Sequence, residues 1–331
     1  MGTASKGRKH RARGRNELFA AIDLGTHNCR LLIAAKGKAG GFRIVDSFSR
    51  IVRLGEGLEK TGALAPLAIE RTIAALRVCA ERMKAAGVTH IRAVATEACR
   101  RAVNTAELLA RVRNEAGLDL TVLTPEEEAH LAAAGCAPLV GSRHEGALIF
   151  DIGGGSTEAI WMRRENGNLR IVQALSVPVG VVTLSEREPS PMTRRYYESL
   201  RGEMVPLFAK LRARMDENGA FDGTHNHLLG TSGTVTTLAG VAMGLKRYIR
   251  TRVDASWHVC ADLLSLCERL ADLDHVGRAG LGCVGEERAD LMVPGCAIFS
   301  AIHAAWPCEK LRVADRGLRE GILRELMAEA A

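Results

Sequence analysis

The sequence predicts an α/β protein in which one structural unit occurs twice, and three observations carry that expectation. An apolar strand ending in an acid and a glycine turn occurs at Leu18–Gly25 and again at Ala147–Gly153. Each is followed by two more extended segments and then by helices alternating with strands. The length of 331 residues fits two domains of about 150 residues each. Asp23 and Asp151 then occupy equivalent places, 128 positions apart. A ligand belongs in the cleft between the copies, where small-molecule sites form.

In the first copy, Leu18–Gly25 and Cys29–Lys36 read as strands. Gly37, Gly40 and Gly41 mark a hairpin turn, and Phe42–Val52 reads as a third strand. The period then lengthens. Ile69, Ile73, Leu76, Ala80 and Met83 recur at helical spacing, with Pro66 in the first turn and Gly87 just past the end. A strand at Ile91–Ala95 precedes a helix whose start suits Asn104 as N-cap with Glu107 as reciprocal partner. Leu120–Leu123 is a short strand, and a helix begins at Pro125.

The second copy opens with Ala147–Gly153 and Glu158–Arg163. Asn166-Gly167 is a strong hairpin signal before the strand Leu169–Leu175. A long helix follows at about 193–215, then a strand at Leu228–Gly230, a helix at Val235–Gly244, a strand at Leu311–Ala314 and a helix from Leu318. The expected domains are a basic tail at 1–16, a first domain at 17–128 and a second at 129–314. The segment from about 315 to 331 is expected to return to the first domain.

Composition excludes several classes. No window reaches the roughly 18 consecutive apolar residues of a membrane span, and no signal-peptide pattern precedes the first strand, so a cytoplasmic protein is expected. The net charge is +7, but Lys6, Arg8, Lys9, Arg11, Arg13 and Arg15 all precede the first acid. Without those six the body carries 39 bases against 38 acids. The tail is read as a disordered, solvated leader, with nucleic-acid or other polyanion contact as the lesser reading. None of the nine cysteines forms Cys-x-x-Cys, and most sit in apolar segments, which points to reduced core thiols. His225 and His227 flank Asn226 in what reads as a polar surface loop rather than a metal site.

The chemistry concentrates in loops. Asp151-Ile-Gly-Gly-Gly-Ser-Thr-Glu158 places three glycines at a strand-to-strand turn, where backbone N–H groups form an anion-binding nest. Gly153, Gly154, Gly155, Ser156 and Thr157 are the candidate phosphate binders. Asp151 and Glu158 are candidate metal carboxylates, since paired acids around such a nest suit a metal–phosphate complex better than packing. The first copy supplies Asp23 as a further metal-side acid, with Gly25, Thr26 and Arg30 as phosphate contacts. Gly230, Ser232, Gly233 and Thr234 form a third candidate anion loop at a helix start. Neither a P-loop motif nor a Gly-x-Gly-x-x-Gly opening a helix occurs.

These residues resemble the exopolyphosphatase/guanosine pentaphosphate phosphatase family of the actin-like superfamily. Five further segments carry the resemblance: Arg53-Leu-Gly-Glu-Gly-Leu58, Ala95-Thr-Glu-Ala-Cys-Arg-Arg-Ala-Val-Asn104, Glu126-Glu-Glu-Ala129, Arg288–Gly295 and Asp315–Gly321. They occur in the family's order and cover about residues 17–325. The resemblance implies two ribonuclease-H-like domains, with mixed sheets flanked by helices and the active site in the interdomain cleft. It also implies the short, two-domain form. Glu128 would be the catalytic base, Glu158 a second catalytic acid, and Arg100 a contact to substrate phosphates. Mg²⁺ would be the cofactor, with Mn²⁺ as substitute, and inorganic polyphosphate or guanosine pentaphosphate the substrate; a homodimer is allowed for. The chain departs from the pattern at His27, where the family usually has Asn, and at His130, where it usually has Arg. Three activities stay open: a phosphohydrolase first, then a phosphotransferase of the same superfamily, then a non-catalytic nucleotide-binding switch.

Overall fold

The computed structural model describes residues 17–37, 41–187 and 192–330. The expected tail and Gly40 of the first hairpin lie outside the described residues. The first half runs β1 (Leu18–Leu24), β2 (Asn28–Lys36), β3 (Phe42–Ile51), α1 (Leu58–Thr61), α2 (Pro66–Ala86), β4 (His90–Ala95), α3 (Glu97–Arg101), α4 (Thr105–Ala116) and β5 (Leu120–Val122). Helix α5 (Pro125–Cys136) leads into β6 (Gly146–Ile152), β7 (Thr157–Glu165), β8 (Asn168–Val177), α6 (Val181–Ser185) and α7 (Arg194–Asp216). Then come β9 (Asn226–Thr231), α8 (Gly233–Ala242), α9 (Arg250–Val253), β10 (Trp257–Val259), α10 (Cys260–Asp272) and α11 (His275–Ala279). The chain closes with α12 (Ala289–Ala305), β11 (Lys310–Ala314) and α13 (Leu318–Glu329).

The duplication is visible in the hydrogen bonding. One sheet has the order β3-β2-β1-β4-β5 and the other, read from the equivalent edge, β8-β7-β6-β9-β11-β10. In each, the first strand pairs antiparallel with the second and parallel with the strand on its other side. The β1–β2 register Asp23↔Arg30 recurs in β6–β7 as Asp151↔Glu158. Even the bulge recurs, at Ile33/Ala34 and at Trp161/Met162. One site is thus built from two copies of one frame, with a cation at position 30 where the other copy has an acid at 158.

Each sheet has its own core, Ile22, Leu31, Ile73 and Leu76 in the first and Phe150, Phe208, Phe299 and Ile302 in the second. Helices α5 and α13 cross over between them. Ala129, Ala132, Ala133 and Cys136 of α5 pack on Ala147, Ile149 and Ile160 of the second sheet. Leu318, Ile322 and Leu323 of α13 pack on Phe19, Ala21 and Val94 of the first. The border expected between 128 and 129 falls inside α5. The two helices touch where a Cβ on Gly135 would collide with the Gly317 carbonyl, and one on Gly321 with that of Leu131. A backbone obstacle cannot swing aside, so Gly135→Ala is expected to lose about 1–3 kcal/mol of stability, checked by the urea midpoint.

Several local expectations need correction. Asn104 stands at the N-cap position of α4 but makes no capping bond; its amide instead bridges the backbone N–H and C=O of Leu64, tying two loops. The polar loop expected around Asn226 is strand β9. His227 is buried there, with Nε2 accepting from the Gly141 N–H, because its ring packs edge-on to His144 and Trp257. His225 alone is exposed, paired with Asp222 at 2.6 Å. The Asn166-Gly167 turn forms with both residues at positive φ, 50° and 82°, the geometry that suits a two-residue hairpin. Eight of the nine cysteines are buried and all are free thiols. No described helix is long and apolar enough to cross a membrane.

Candidate active site

The two acid-glycine loops face each other across the cleft, and both are built the same way. Gly25 N–H bonds the Asn28 carbonyl and Gly153 N–H bonds the Ser156 carbonyl, each at 2.9 Å, closing the turns. The carbonyls of Thr26 and His27 are then taken by the amides of Gly55, Val52 and Arg53. Those of Gly153 and Gly154 are taken by Val181 and Val182 at the start of α6. With the carbonyls turned away and bound, the amides of Thr26, His27, Gly154, Gly155 and Ser156 have no acceptor among the described residues. Free N–H groups converging from both sides make an anion nest.

Between the loops lies an inner cavity of about 100 Å³, lined by Asp23, Thr26, Arg30, Glu128, Asp151 and Glu158 among others. Five carboxyls, those of Asp23, Glu97, Glu128, Asp151 and Glu158, line this one small space, where they repel each other and lose hydration. Burial raises Asp23 above its usual range and, with the Glu158 charge, pushes Asp151 up to about 7. Burial and the Glu158 charge likewise hold Glu128 well above the carboxylate range, against the pull of Arg100. Glu158 rises by burial although Ser156 and Ser176 hydroxyls donate to its Oε1 at 2.6 and 2.9 Å.

Glu128 reaches the cavity because of helix geometry. The first turn of α5 carries three glutamates in a row. Glu127 closes a capping box with Thr124, Glu126 is exposed, and the helical rotation turns Glu128 inward. There Arg100 donates to its Oε2 at 2.6 Å. The same guanidinium also bonds Glu97 Oε2 and the Leu123 carbonyl, at 2.9 Å each. Arg100 is therefore engaged by Glu97 and Glu128, and it lines neither the inner cavity nor the one beside it.

That second cavity, of about 460 Å³, adjoins the first through Asp23, Arg30, Asp151 and Leu318. Arg30, Arg250, Arg288, Arg316 and Arg319 line it, with Ser232 and Gly233 of the third loop. Arg250 and Arg316 are paired with acids, whereas Arg30, Arg288 and Arg319 make no ion pair among the described residues. Burial and their mutual repulsion lower Arg288 and Arg319. Such a wall attracts a polyanion. Ser232 sits at φ 110°, an expensive angle for a residue with a Cβ. Thr157, Gly230 and Thr234 do not line either cavity. The Thr157 hydroxyl is spent on the Val179 carbonyl, Gly230 faces the Phe150 ring, and Thr234 packs against Gly295. The sequence does not single out Arg288 and Arg319 as binding residues: each sits in a recognised segment, but only the fold brings them beside Arg30.

Oxygen donors of this kind suit a hard divalent cation. Among the described residues no three acids, histidines or cysteines close into a cage. Asp23 and Asp151, with Glu158 beside them, are the carboxylates of the inner cavity that could hold such an ion.

The model of the Ppx/GppA phosphatase family matches residues 32–330. Exopolyphosphatase 2 of Mycobacterium tuberculosis is 31% identical over 325 residues, covering 93% of this chain and 98% of its own. The crystal structure of the Aquifex aeolicus member of the Ppx/GppA protein family superposes with a TM-score of 0.76 at 28% identity, covering 96% of this chain and 99% of that one. An exopolyphosphatase from Cytophaga hutchinsonii shares the fold, with a TM-score of 0.84 at 23% identity over 95% of this chain and 98% of its own.

Proposed function

The chain belongs to the Ppx/GppA phosphatase family, and from that premise we propose that it hydrolyses the terminal phosphoanhydride bond of a polyphosphorylated substrate, inorganic polyphosphate first. One observation carries the reading. A cavity with a buried carboxylate pair and two amide nests adjoins a second cavity lined by arginines. The terminal phosphoryl group fits the first and the rest of the anion the second. Guanosine pentaphosphate is the second substrate, favoured by Tyr248, an aromatic ring lining the arginine cavity on which a base can stack.

Phosphoryl transfer needs positioning and charge neutralisation more than covalent help. The amides of Gly154, Gly155, Ser156 and Thr26 bind the equatorial oxygens. Glu128 accepts a proton from the attacking water. Its raised pKa makes it a better base than an exposed glutamate, and Arg100 fixes its orientation through Oε2. Glu158, locked by two serine hydroxyls, orients its neighbours instead of moving. Mg²⁺ held by Asp23 and Asp151 would neutralise the transferring group and leaving oxygen. A cytoplasmic setting, where such anions and Mg²⁺ meet, belongs to the same proposal.

Phosphate release from polyphosphate, guanosine pentaphosphate and ATP, each with Mg²⁺ or Mn²⁺, tests the reading. Release from the first or second supports it; no release from any of them sinks it, and ATP formation from polyphosphate and ADP without free phosphate favours a phosphotransferase. A finer test concerns Arg100, whose charge pulls the Glu128 carboxyl down. Arg100→Ala is expected to move the acidic limb of the kcat–pH profile to higher pH. An unmoved limb with a raised KM would instead make Arg100 a substrate ligand.

A further inference from the structure

His27 stands in the first loop where the family usually has Asn, and its surroundings are unusual. Its carbonyl is fixed by the amides of Val52 and Arg53. Both ring nitrogens are buried and neither has a hydrogen-bond partner among the described residues. The imidazole forms part of the wall of the inner cavity and also of an outer cavity of about 1030 Å³. The charged groups around it are Arg30 of β2, Arg53 after β3 and Arg288 before α12. Asp23, Glu97, Glu128, Asp151 and Glu158 line the inner cavity with it, and Glu56, Glu59, Lys60, Glu186, Arg187, His275, Glu286, Glu287 and Asp290 line the outer one.

Two costs therefore meet at one ring. A buried polar nitrogen without a partner carries its full desolvation penalty. Three guanidinium groups also oppose any positive charge on it, so burial and those charges hold its pKa down at about 4. A metal ion would add to the repulsion. A neutral acceptor would satisfy the ring but leave the guanidiniums uncompensated. An anionic phosphoryl oxygen relieves both costs: it accepts from the ring N–H, and its charge offsets the arginines.

We propose that His27 contacts the substrate, donating a hydrogen bond to a phosphoryl oxygen in the inner cavity and taking up a proton as the polyanion binds. The inference rests on the phosphoanhydride reading of the site. In the free protein the ring is neutral at pH 6–8. Bound phosphate charge raises its pKa, so binding consumes a proton and tightens as pH falls toward the raised value.

Three proteins test this: the parent chain, His27→Ala and His27→Asn. Neither substitution removes an existing side-chain hydrogen bond, so folding is not expected to suffer, and thermal melts check it. With tripolyphosphate and Mg²⁺, His27→Ala is expected to raise KM by about tenfold or more, with kcat within about threefold. His27→Asn keeps a donor and is expected to recover most of that loss. Calorimetric titrations with tripolyphosphate in buffers of different ionisation enthalpy, on a Glu128→Gln background that blocks turnover, count protons. Uptake is expected to be larger where His27 is retained than after His27→Asn, the titration of tripolyphosphate and of the cavity acids cancelling in the comparison. If His27→Ala binds as well as the parent chain, the contact is wrong. If His27→Asn takes up as many protons as the parent, the proton coupling is wrong. A parent chain that neither binds nor cleaves tripolyphosphate, polyphosphate or guanosine pentaphosphate overturns the phosphoanhydride reading and this inference with it.

Discussion

Replacing Glu128 with Gln is expected to lower kcat for phosphate release by about 10²- to 10⁴-fold, the range spanned by general-base catalysis. KM should change little, because the carboxylate that Arg100 grips through Oε2 is replaced by an amide of the same shape. The effect belongs to Glu128 and not to its neighbours for a geometric reason. Glu127 is consumed in the capping box, Glu126 faces solvent, and Glu97 shares its Oε2 with two nitrogens of Arg100. Glu158 also faces the cavity, but two hydroxyls hold one of its oxygens, which suits holding charge and not swinging to a water. Glu158→Gln should therefore act mainly through the divalent-metal requirement, raising the Mg²⁺ concentration for half-maximal rate. Steady-state phosphate release on Glu128→Gln, Glu126→Gln and Glu158→Gln separates these roles. Full rate in Glu128→Gln, or an equal loss in Glu126→Gln, would remove Glu128 from the chemistry.

That triplet also shows where the sequence is legible and where it stops. Three adjacent glutamates look alike on a page. Only the capping box and the rotation of α5 separate them, and of these the capping box alone has a local signature. The acid-glycine loops are legible because duplication repeats them at a fixed spacing, and the structure repeats them down to the bulge. The arginine wall is not legible. Arg30, Arg288 and Arg319 come from β2, a turn before α12 and the first turn of α13, and no local pattern links them. Asn104 and His227 mislead for a related reason. Each satisfies a local rule, capping for one and polar-loop composition for the other, that a tertiary partner overrides. Leu64 claims the Asn104 amide, and Gly141 with the Trp257 ring claims His227.

The buried carboxyls also make stability depend on pH in an uncommon direction, and Asp151 sets the window. Its pKa is near 3.8 unfolded and about 7 folded. Between those values the folded chain binds more protons than the unfolded one, so stability falls as pH rises, by about 4 kcal/mol for this group alone before relaxation discounts it. Asp23, Glu128, Glu158 and Asp315 are raised too and push the same way. The chain in EDTA is therefore expected to melt several degrees lower at pH 8 than at pH 5, opposite to a protein stabilised by salt-bridged acids. Asp151→Asn removes one of these causes, so its melting temperature should vary less with pH and exceed that of the parent chain at pH 8. A divalent cation stabilises the ionised acids, so Mg²⁺ should raise the melting temperature at pH 8 more than at pH 5. Asp151→Asn should blunt that gain. Thermal melts across pH 5–8, with EDTA or Mg²⁺, decide it. A parent chain that is more stable at pH 8 in EDTA would mean that the arginine wall, not the acids, controls the charge balance of the cleft. An equal Mg²⁺ response in Asp151→Asn would move the metal away from Asp151 and toward Asp23.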